Sequence, residues 1–347
     1  MTKPRAMLGL TRSQILAFRR QAGALDERLP PGPASLRRAA WAGLQDSMPR
    51  AAVLSIHARV AGTEPATWED PSLVQLWGPR FNVFVVAACD LAVFSLGTLP
   101  DDARGRQRAT DLAARLRAAI GGERIAYGEA GSRVGVSNAN MLRYAAATGT
   151  VLIRWEGARQ PTIWTVPPPE LDPGAARLEL ARRYLRVFAP ATAEAFGQWA
   201  GIGPRAGIAA FAALGGSLTP VRTPVGEGWI LGEDEAAFAA VPRVTAPARL
   251  LPSGDAFFLL QGAGRDLLVP DPGRQRELWT PRVWPGGLLV DGEMTGTWRR
   301  AGKMLTVRAW RRLSAAERDA VAAEAASLPL PGIQGQVTVR WDAEPAG

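Results

Sequence analysis

The segment Gly43-Leu44-Gln45-Asp46-Ser47 sets a carboxamide, a carboxylate and a hydroxyl side by side, just ahead of the apolar helical pattern "AAVLSIHARV". All three groups can orient a water molecule, but only the carboxylate is also an effective base. In an extended backbone, residues 45 and 47 share one side and Asp46 points to the other. Gln45 is then the leading candidate to hold a reacting water. Ser47 is a weaker partner, and Asp46 is a base only in a different geometry. A purely structural reading competes with this one. Asp46 or Ser47 would cap a helix beginning near Met48 or Pro49, a role that stabilises by about 1 kcal/mol.

Much other chemistry is excluded by what the chain lacks. His57 is the single histidine, which removes His-cluster zinc sites, HExxH hydrolases and two-histidine acid–base schemes. No GxSxG elbow accompanies it, and it falls within a helical pattern, so it reads as a packing or helix-surface residue. No phosphate-binding Walker sequence occurs, and the glycines of "YGEAGSRVG" lack dinucleotide-binding spacing. Cys89 is the only cysteine, so there is no internal disulfide and no thiolate cluster. Within "VFVVAACDLAVF" it reads as a small core residue. That run is interrupted by Asp90 and falls far short of a membrane span. The expectation is a chain with no metal site and no organic cofactor, cytoplasmic, with no membrane segment and no secretory signal.

The formal charge of +9 is unevenly distributed. Residues 1–60 hold ten Lys/Arg against three acids, and residues 282–312 hold seven against two, while the remainder is slightly acidic. Two separated basic blocks suit a polyanion, of which nucleic acid is the commonest. Arginine accounts for all but Lys3 and Lys303, which a GC-rich genome would also produce. Arg37, Arg38 and Arg50 flank the candidate water-holding segment and can reach phosphates there. Arg159, in a glycine-marked turn, and Trp298-Arg299-Arg300, following Asp291-Gly292, are candidates to contact a duplex; for the latter triplet the alternative is a charged edge strand.

The elements that would position these residues follow a recurring plan. "LTRSQILAFRRQAG" is a helix with Thr11 as N-cap and Gly23 as stop. "PASLRRAAWAGL" and a helix from Pro49 come next, and then the β-branched "RFNVFVVAACDLAVFSL". The middle repeats the plan: helix "DARGRQRATDLAARLRAAIGG", short helix "YGEAGSRVG", helix "SNANMLRYAAATG" with Ser137 as N-cap, and a hairpin around Glu156-Gly157. Helix, turn, helix, hairpin is the order of a winged helix. A third pass runs through "AARLELARRYLRVF", "TAEAFGQWAGI" and "GPRAGIAAFAALGG" to the hairpin "SLTPVRTPVGEGWIL", with Gly226 and Gly228 at its tip. The rest contains strand-like "AFFLL", "GLLVDGEMTGTWRR" and "KMLTVRAWRR", a helix from Ser314 and a final "QVTVRW". The predicted fold class is α+β: three tandem winged-helix motifs in a concave arrangement with a β-rich C-terminal region. The expected units are 1–105, 106–170, 171–238 and 239–347.

"LTRSQILAFRRQ", "GLQDSMPRAAVLSIHARV", "RQPTIWTVP", "LARRYLRVFAPATAEAFGQWAGI", "LLPSGDAFFLL" and "LLVDGEMTGTWRR" together resemble the AlkZ/YcaQ-type winged-helix DNA glycosylases, over about residues 8–330. The resemblance implies a concave DNA-binding body that excises N-alkylated purines and some bulky or crosslinking adducts without a metal. Its partner would be damaged duplex DNA, and the protein would act as a monomer. The family motif is a Gln, a spacer, then a second Gln or an Asp. Gln45 matches the first position, Asp46 fills the spacer, and Ser47 stands where the family has Gln or Asp. Asp255 matches a family acid, although Asp after Ser-Gly is also an ordinary turn residue. Alkylation of a purine at N7 leaves the base cationic and its glycosidic bond weakened. Such an enzyme needs a positioned water and negative potential near the forming oxocarbenium ion more than it needs acid assistance. No lysine lies near Gln45, so a Schiff-base lyase step is not implied. The Ser47 departure leaves an alternative, a catalytically silent DNA-binding relative that acts as regulator or lesion sensor.

Overall fold

The computed structural model describes residues 7–48, 50–157, 159–239, 248–330, 332–333 and 335–342; the expected first-turn role of Pro49 lies outside them. Strand β1 (Leu8–Gly9) and helix α1 (Arg12–Ala22) open the chain. Thr11 caps α1 as its position predicts. The Thr11 hydroxyl accepts from the Gln14 N–H while the Gln14 side chain accepts from the Thr11 N–H.

Three modules of one plan follow. The first comprises α2 (Pro33–Ala39), β2 (Leu44–Gln45), α3 (Ala51–His57), β3 (Leu73–Trp77) and β4 (Val83–Ala87), with α4 (Leu91–Leu96) after it. The second comprises α5 (Ala103–Ile120), β5 (Ile125–Ala126), α6 (Tyr127–Arg133), α7 (Arg143–Ala146), β6 (Val151–Arg154) and β7 (Thr162–Thr165). The third comprises α8 (Pro173–Phe188), α9 (Ala193–Ala200), α10 (Pro204–Leu214), β8 (Leu218–Thr223) and β9 (Gly226–Leu231). Sheet order is β2-β4-β3 in the first and β5-β7-β6 in the second, so the last strand lies in the middle. The third matches through an isolated bridge of Ala191 to Trp229 on β9, and β1 adds to its far edge beside β8. Helix α5 runs across the expected 105/106 boundary.

Helix α11 (Glu235–Ala239) returns to α1, where Phe238 stacks on Phe18 at 3.9 Å. The C-terminal region then contains β10 (Ala248–Leu251), α12 (Gly264–Leu268), α13 (Pro272–Leu278), β11 (Gly286–Val290), β12 (Glu293–Ala301), β13 (Met304–Ala309), α14 (Ala315–Ala326) and β14 (Thr338–Trp341). Its strands form one sheet in the order β10-β11-β12-β13-β14. Asp291 (φ 50°) and Gly292 (φ 76°) make the tight β11–β12 turn foreseen from their types, since both central positions need positive φ. Strand β12 is internal and laddered on both sides, so it is not an edge strand.

Packing welds the modules together. One apolar core runs from Ile15 and Phe18 of α1 through Phe94, Tyr184, Phe196 and Trp199 to Phe258. A second core joins Val53 and Leu54 of α3 to the C-terminal sheet through Leu250, Leu288 and Trp298. Helix α3 therefore belongs to the first module by sequence and to the C-terminal sheet by packing. Some local expectations are corrected. "AFFLL" is buried, but it begins with a 3₁₀ turn at Ala256–Phe258 because the Asp255 carboxylate accepts from the Phe257 N–H. Asn138, not Ser137, caps the turn that precedes α7. Gly226 opens β9 at the hairpin tip, whereas Gly228 lies within that strand. Cys89 is exposed rather than part of the core.

Candidate active-site cleft

Strand β2 continues past its two ladder residues, because the Asp46 N–H donates to Val83 O at 2.8 Å. The segment is extended, and burial alternates accordingly. Gln45 is half-buried, Asp46 buried and Ser47 exposed.

Asp46 turns inward. One carboxylate oxygen accepts from the Ala52 N–H at 3.0 Å, in the first turn of α3, and the other accepts from Gln75 Nε2 at 2.8 Å. Both oxygens are thus committed away from solvent, and Asp46 acts as an N-terminal acceptor for α3. The capping reading holds, although the helix starts at Ala51, later than expected. Burial raises the Asp46 carboxyl pKa to about 6, against the opposing pull of the Ala52 amide and the Arg50 charge. Its partner Gln75 is a buried polar residue that the sequence reading missed. The Gln75 carboxamide accepts from the Trp155 N–H at 2.7 Å and donates to Trp155 O at 3.4 Å. It therefore ties the loop end of the second hairpin to strand β3 of the first module. A signal for it exists: Gln75 is the one polar residue inside the apolar run "LVQLW".

Gln45 faces the other way and is held from two sides. Arg80, in the β3–β4 turn, donates from Nη2 to Gln45 Oε1 at 3.3 Å. Opposite, Gly254 approaches so closely that a Cβ there would lie 3.0 Å from Gln45 Nε2. Gly254 has φ +76°, so the position favours glycine on both grounds. Asp255 fixes this turn. Its carboxylate, fully buried, accepts from both Arg59 Nη atoms at 2.7 Å and from Ser55 Oγ at 2.7 Å. Ser55 and Arg59 come from α3 and its C-terminal end, so that segment carries the acceptor-bound start beside Asp46 and the anchor for Gly254.

Beside this segment opens a cleft of about 230 Å³, with Met48, Leu54, Ser253, Trp284, Arg299 and Arg300 among its walls. It brings together two parts of the chain that the sequence treated separately. Trp298 also lines it, but the indole is buried and its N–H donates to Leu251 O at 2.9 Å. Trp298 is the cleft's floor and not a side chain free to enter a groove. Arg299 and Arg300 are exposed, and among the described residues their guanidinium groups bond to the backbone carbonyls of Val283 and Gly302. Arg159 is exposed in the β6–β7 loop.

The remaining basic candidates are committed to packing. Arg50 lies against the Trp68 ring at 3.8 Å, with Arg154 on the same ring at 3.9 Å, and donates to Trp155 O. Arg37 makes a two-pronged pair with Asp90, which also binds Arg183 of α8. Burial would raise the Asp90 carboxyl, but the two guanidinium groups hold it down at about 2. Arg38 is half-buried beside Arg186 and Asp234. Both residues face the third module rather than the cleft. His57 is buried, bonded to Ser327 Oγ at 3.0 Å, and its pKa falls to about 3 through burial and the nearby Arg28 charge. Among the described residues no group of three or more His, Cys, Asp or Glu side chains converges on a metal position, and no helix is long and apolar enough to cross a membrane.

A family model described as "DNA glycosylase AlkZ-like" matches residues 38–329. Among solved structures, the DNA glycosylase AlkZ of Streptomyces sahachiroi superposes with a TM-score of 0.77 at 19% identity, covering 96% of this chain and 100% of that one. A search of curated protein sequences finds no match.

Proposed function

From the premise that this chain belongs to the AlkZ-like DNA glycosylase family, we propose that it hydrolyses the N-glycosidic bond of N7- or N3-alkylated purines, or of bulky and crosslinking purine adducts, using a water held by Gln45. The observation that carries this reading is the placement of Gln45. It is the motif residue whose side chain is held at both ends, by Arg80 and by the Gly254 turn; its own segment supplies Met48, and the Gly254 turn supplies Ser253, to the walls of a cleft edged by exposed arginines. A carboxamide oxygen accepts a proton of the water and aims its lone pair without needing to ionise. The cationic leaving base supplies the rest of the driving force.

Asp46 serves this arrangement from behind. Its carboxylate anchors α3 and, through Gln75, the second hairpin, and it does not meet the water. Ser47, exposed where a longer acceptor is usual, can orient a water but is a poor base. The three modules act as tandem winged helices, with the β3–β4, β6–β7 and β8–β9 hairpins as wings and the C-terminal sheet completing the concave face. The chain acts as a monomer on damaged duplex DNA. Incubation with a duplex carrying one N7-methylguanine, followed by alkaline cleavage, tests the assignment. Strand scission at the lesion supports it. Tight binding without scission, on this and on bulkier N7 adducts, would favour a silent lesion sensor.

A further inference from the structure

The β3–β4 turn that carries Arg80 has an unusual backbone. Arg80 (φ 56°) and Phe81 (φ 57°) are consecutive non-glycine residues in the left-handed region, within a turn closed by Phe81 N–H to Gly78 O at 3.0 Å and Asn82 N–H to Pro79 O at 3.2 Å. Such conformations persist only where the surroundings enforce them, and they concentrate at functional sites. Here other modules do the enforcing. Gly201, after α9, packs on the Arg80 backbone so closely that a Cβ would lie 3.0 Å from Arg80 N, and the Phe81 ring meets Tyr144 of α7 edge-on at 5.1 Å. The turn is thus clamped by the second and third modules and delivers one side chain to Gln45 in the first.

That side chain is chemically distinctive. Arg80 is half-buried, its Nε is buried, and among the described residues that Nε has no acceptor and the guanidinium no carboxylate partner. The charge of Arg265 acts on it; Arg265 is another guanidinium without a carboxylate partner among the described residues, lying 4.9 and 5.6 Å from the Trp279 and Trp284 ring centroids. A guanidinium has donors only, so its bond to Gln45 dictates which end of the carboxamide faces it: Oε1 toward Arg80, Nε2 toward Gly254. Without that donor the amide can turn over and present N–H groups to the water, a contact that draws electron density from the nucleophile. A bare cation so near the reaction centre would oppose the positive charge that builds on the sugar. The backbone phosphate of a bound strand is the counter-charge that removes this penalty.

We propose that Arg80 is a positioning residue that sets the orientation of the Gln45 carboxamide while its remaining donors bind a phosphodiester of the damaged strand. This rests on the glycosylase reading above. The test therefore measures single-turnover excision of N7-methylguanine and, separately, binding of a duplex with a non-hydrolysable abasic analogue at several salt concentrations. Arg80→Met should slow excision between ten- and a hundredfold and reduce the salt dependence of binding by about one phosphate, a slope change near 0.9. Arg80→Lys keeps the charge but not the planar fork, so it should restore the salt slope while leaving excision at least tenfold slow. Adding Arg80→Met to Gln45→Ala should slow excision no further, because both act through one group. Excision by Arg80→Met at the wild-type rate, or rate reductions that multiply in the double variant, would overturn the positioning role. An unchanged salt slope would overturn the phosphate contact. Should the wild type excise nothing, the substrate assignment fails, and a slope change in Arg80→Met would still support the phosphate contact.

Discussion

At the scale of single residues, three neighbours diverge in role because an extended backbone sends them to opposite sides. Gln45→Ala should cut excision to a small residual rate with the fold and most DNA affinity intact, since a water held in the transition state contributes to rate rather than ground-state binding. The effect should be on the order of 2–4 kcal/mol in the barrier, read as single-turnover rates beside unchanged thermal unfolding and binding. Ser47→Gln or Ser47→Asp should raise the rate by extending a better acceptor from the same side. Asp46 predicts a pH effect on stability instead. Its folded pKa of about 6 lies above the ordinary 3.8. Between those values the folded protein holds a proton that the unfolded chain has released, so stability is gained as pH falls through about 6. Full protonation adds on the order of 3 kcal/mol relative to neutral pH. His57, depressed to about 3 from 6.5, acts oppositely, and its stabilisation is lost as pH falls below 6.5. In Asp46→Asn the gain from Asp46 is removed while the loss through His57 remains. Urea unfolding from pH 7 to 4 should show stability falling more steeply in Asp46→Asn than in wild type. Parallel pH profiles for the two proteins would contradict this assignment of Asp46.

At the scale of elements, the site is a meeting of short segments that have little stability alone. Strand β2 has two ladder residues, and α3 has seven residues and begins after a left-handed Arg50 with no side-chain cap of its own. Such a helix is marginal in isolation. Asp46 holds its start, and the buried Arg59–Asp255 pair binds its end to the Pro252–Asp255 turn. Gly254→Ala tests whether this turn aligns the amide. The added Cβ meets Gln45 Nε2 and must also adopt φ +76°, so destabilisation of about 1 kcal/mol or more is expected, with excision reduced about tenfold. Thermal melts and single-turnover rates on the same preparation measure both. A variant as active as wild type would show that Gly254 is needed only for the turn.

At the scale of the whole molecule, charge is sorted by packing. Arg37 and Arg50 belong to the N-terminal basic block, yet one is paired with Asp90 and the other stacked on Trp68. Arg159, Arg299 and Arg300 remain exposed without a carboxylate partner among the described residues. DNA affinity should fall steeply with salt through counterion release. Substituting these three with Ala should lower the slope of log affinity against log salt by up to about 0.9 for each phosphate that the variant no longer neutralises. Arg50→Ala should instead destabilise the fold by removing the stacked guanidinium from Trp68, with little change in slope. Fluorescence titration across salt concentrations distinguishes the two groups, and equal slopes in all variants would place the phosphate contacts elsewhere.

The sequence alone determined what is local or periodic. Thr11 reads as the N-cap of α1 and Asp291-Gly292 as a tight turn, whereas the opposite facing of Gln45 and Asp46 followed only once the segment proved extended. The sequence also specified the order of helices and hairpin in the second and third modules, because apolar spacing and turn chemistry act over a few residues at a time, but not strand β3 of the first. Whether an arginine is free to meet DNA was not legible, since that depends on carboxylates and aromatic rings distant in the chain. Nor was the cleft, which exists because α3 packs its Val53 and Leu54 on the C-terminal sheet and draws Ser253 and Arg299 toward Met48. Nothing local marks Arg80 as a residue held at positive φ, or Gly254 as the wall behind an amide. Those roles arise only when three modules close on one turn, and burial and the need to satisfy each polar group then decide which side chains stay at the surface.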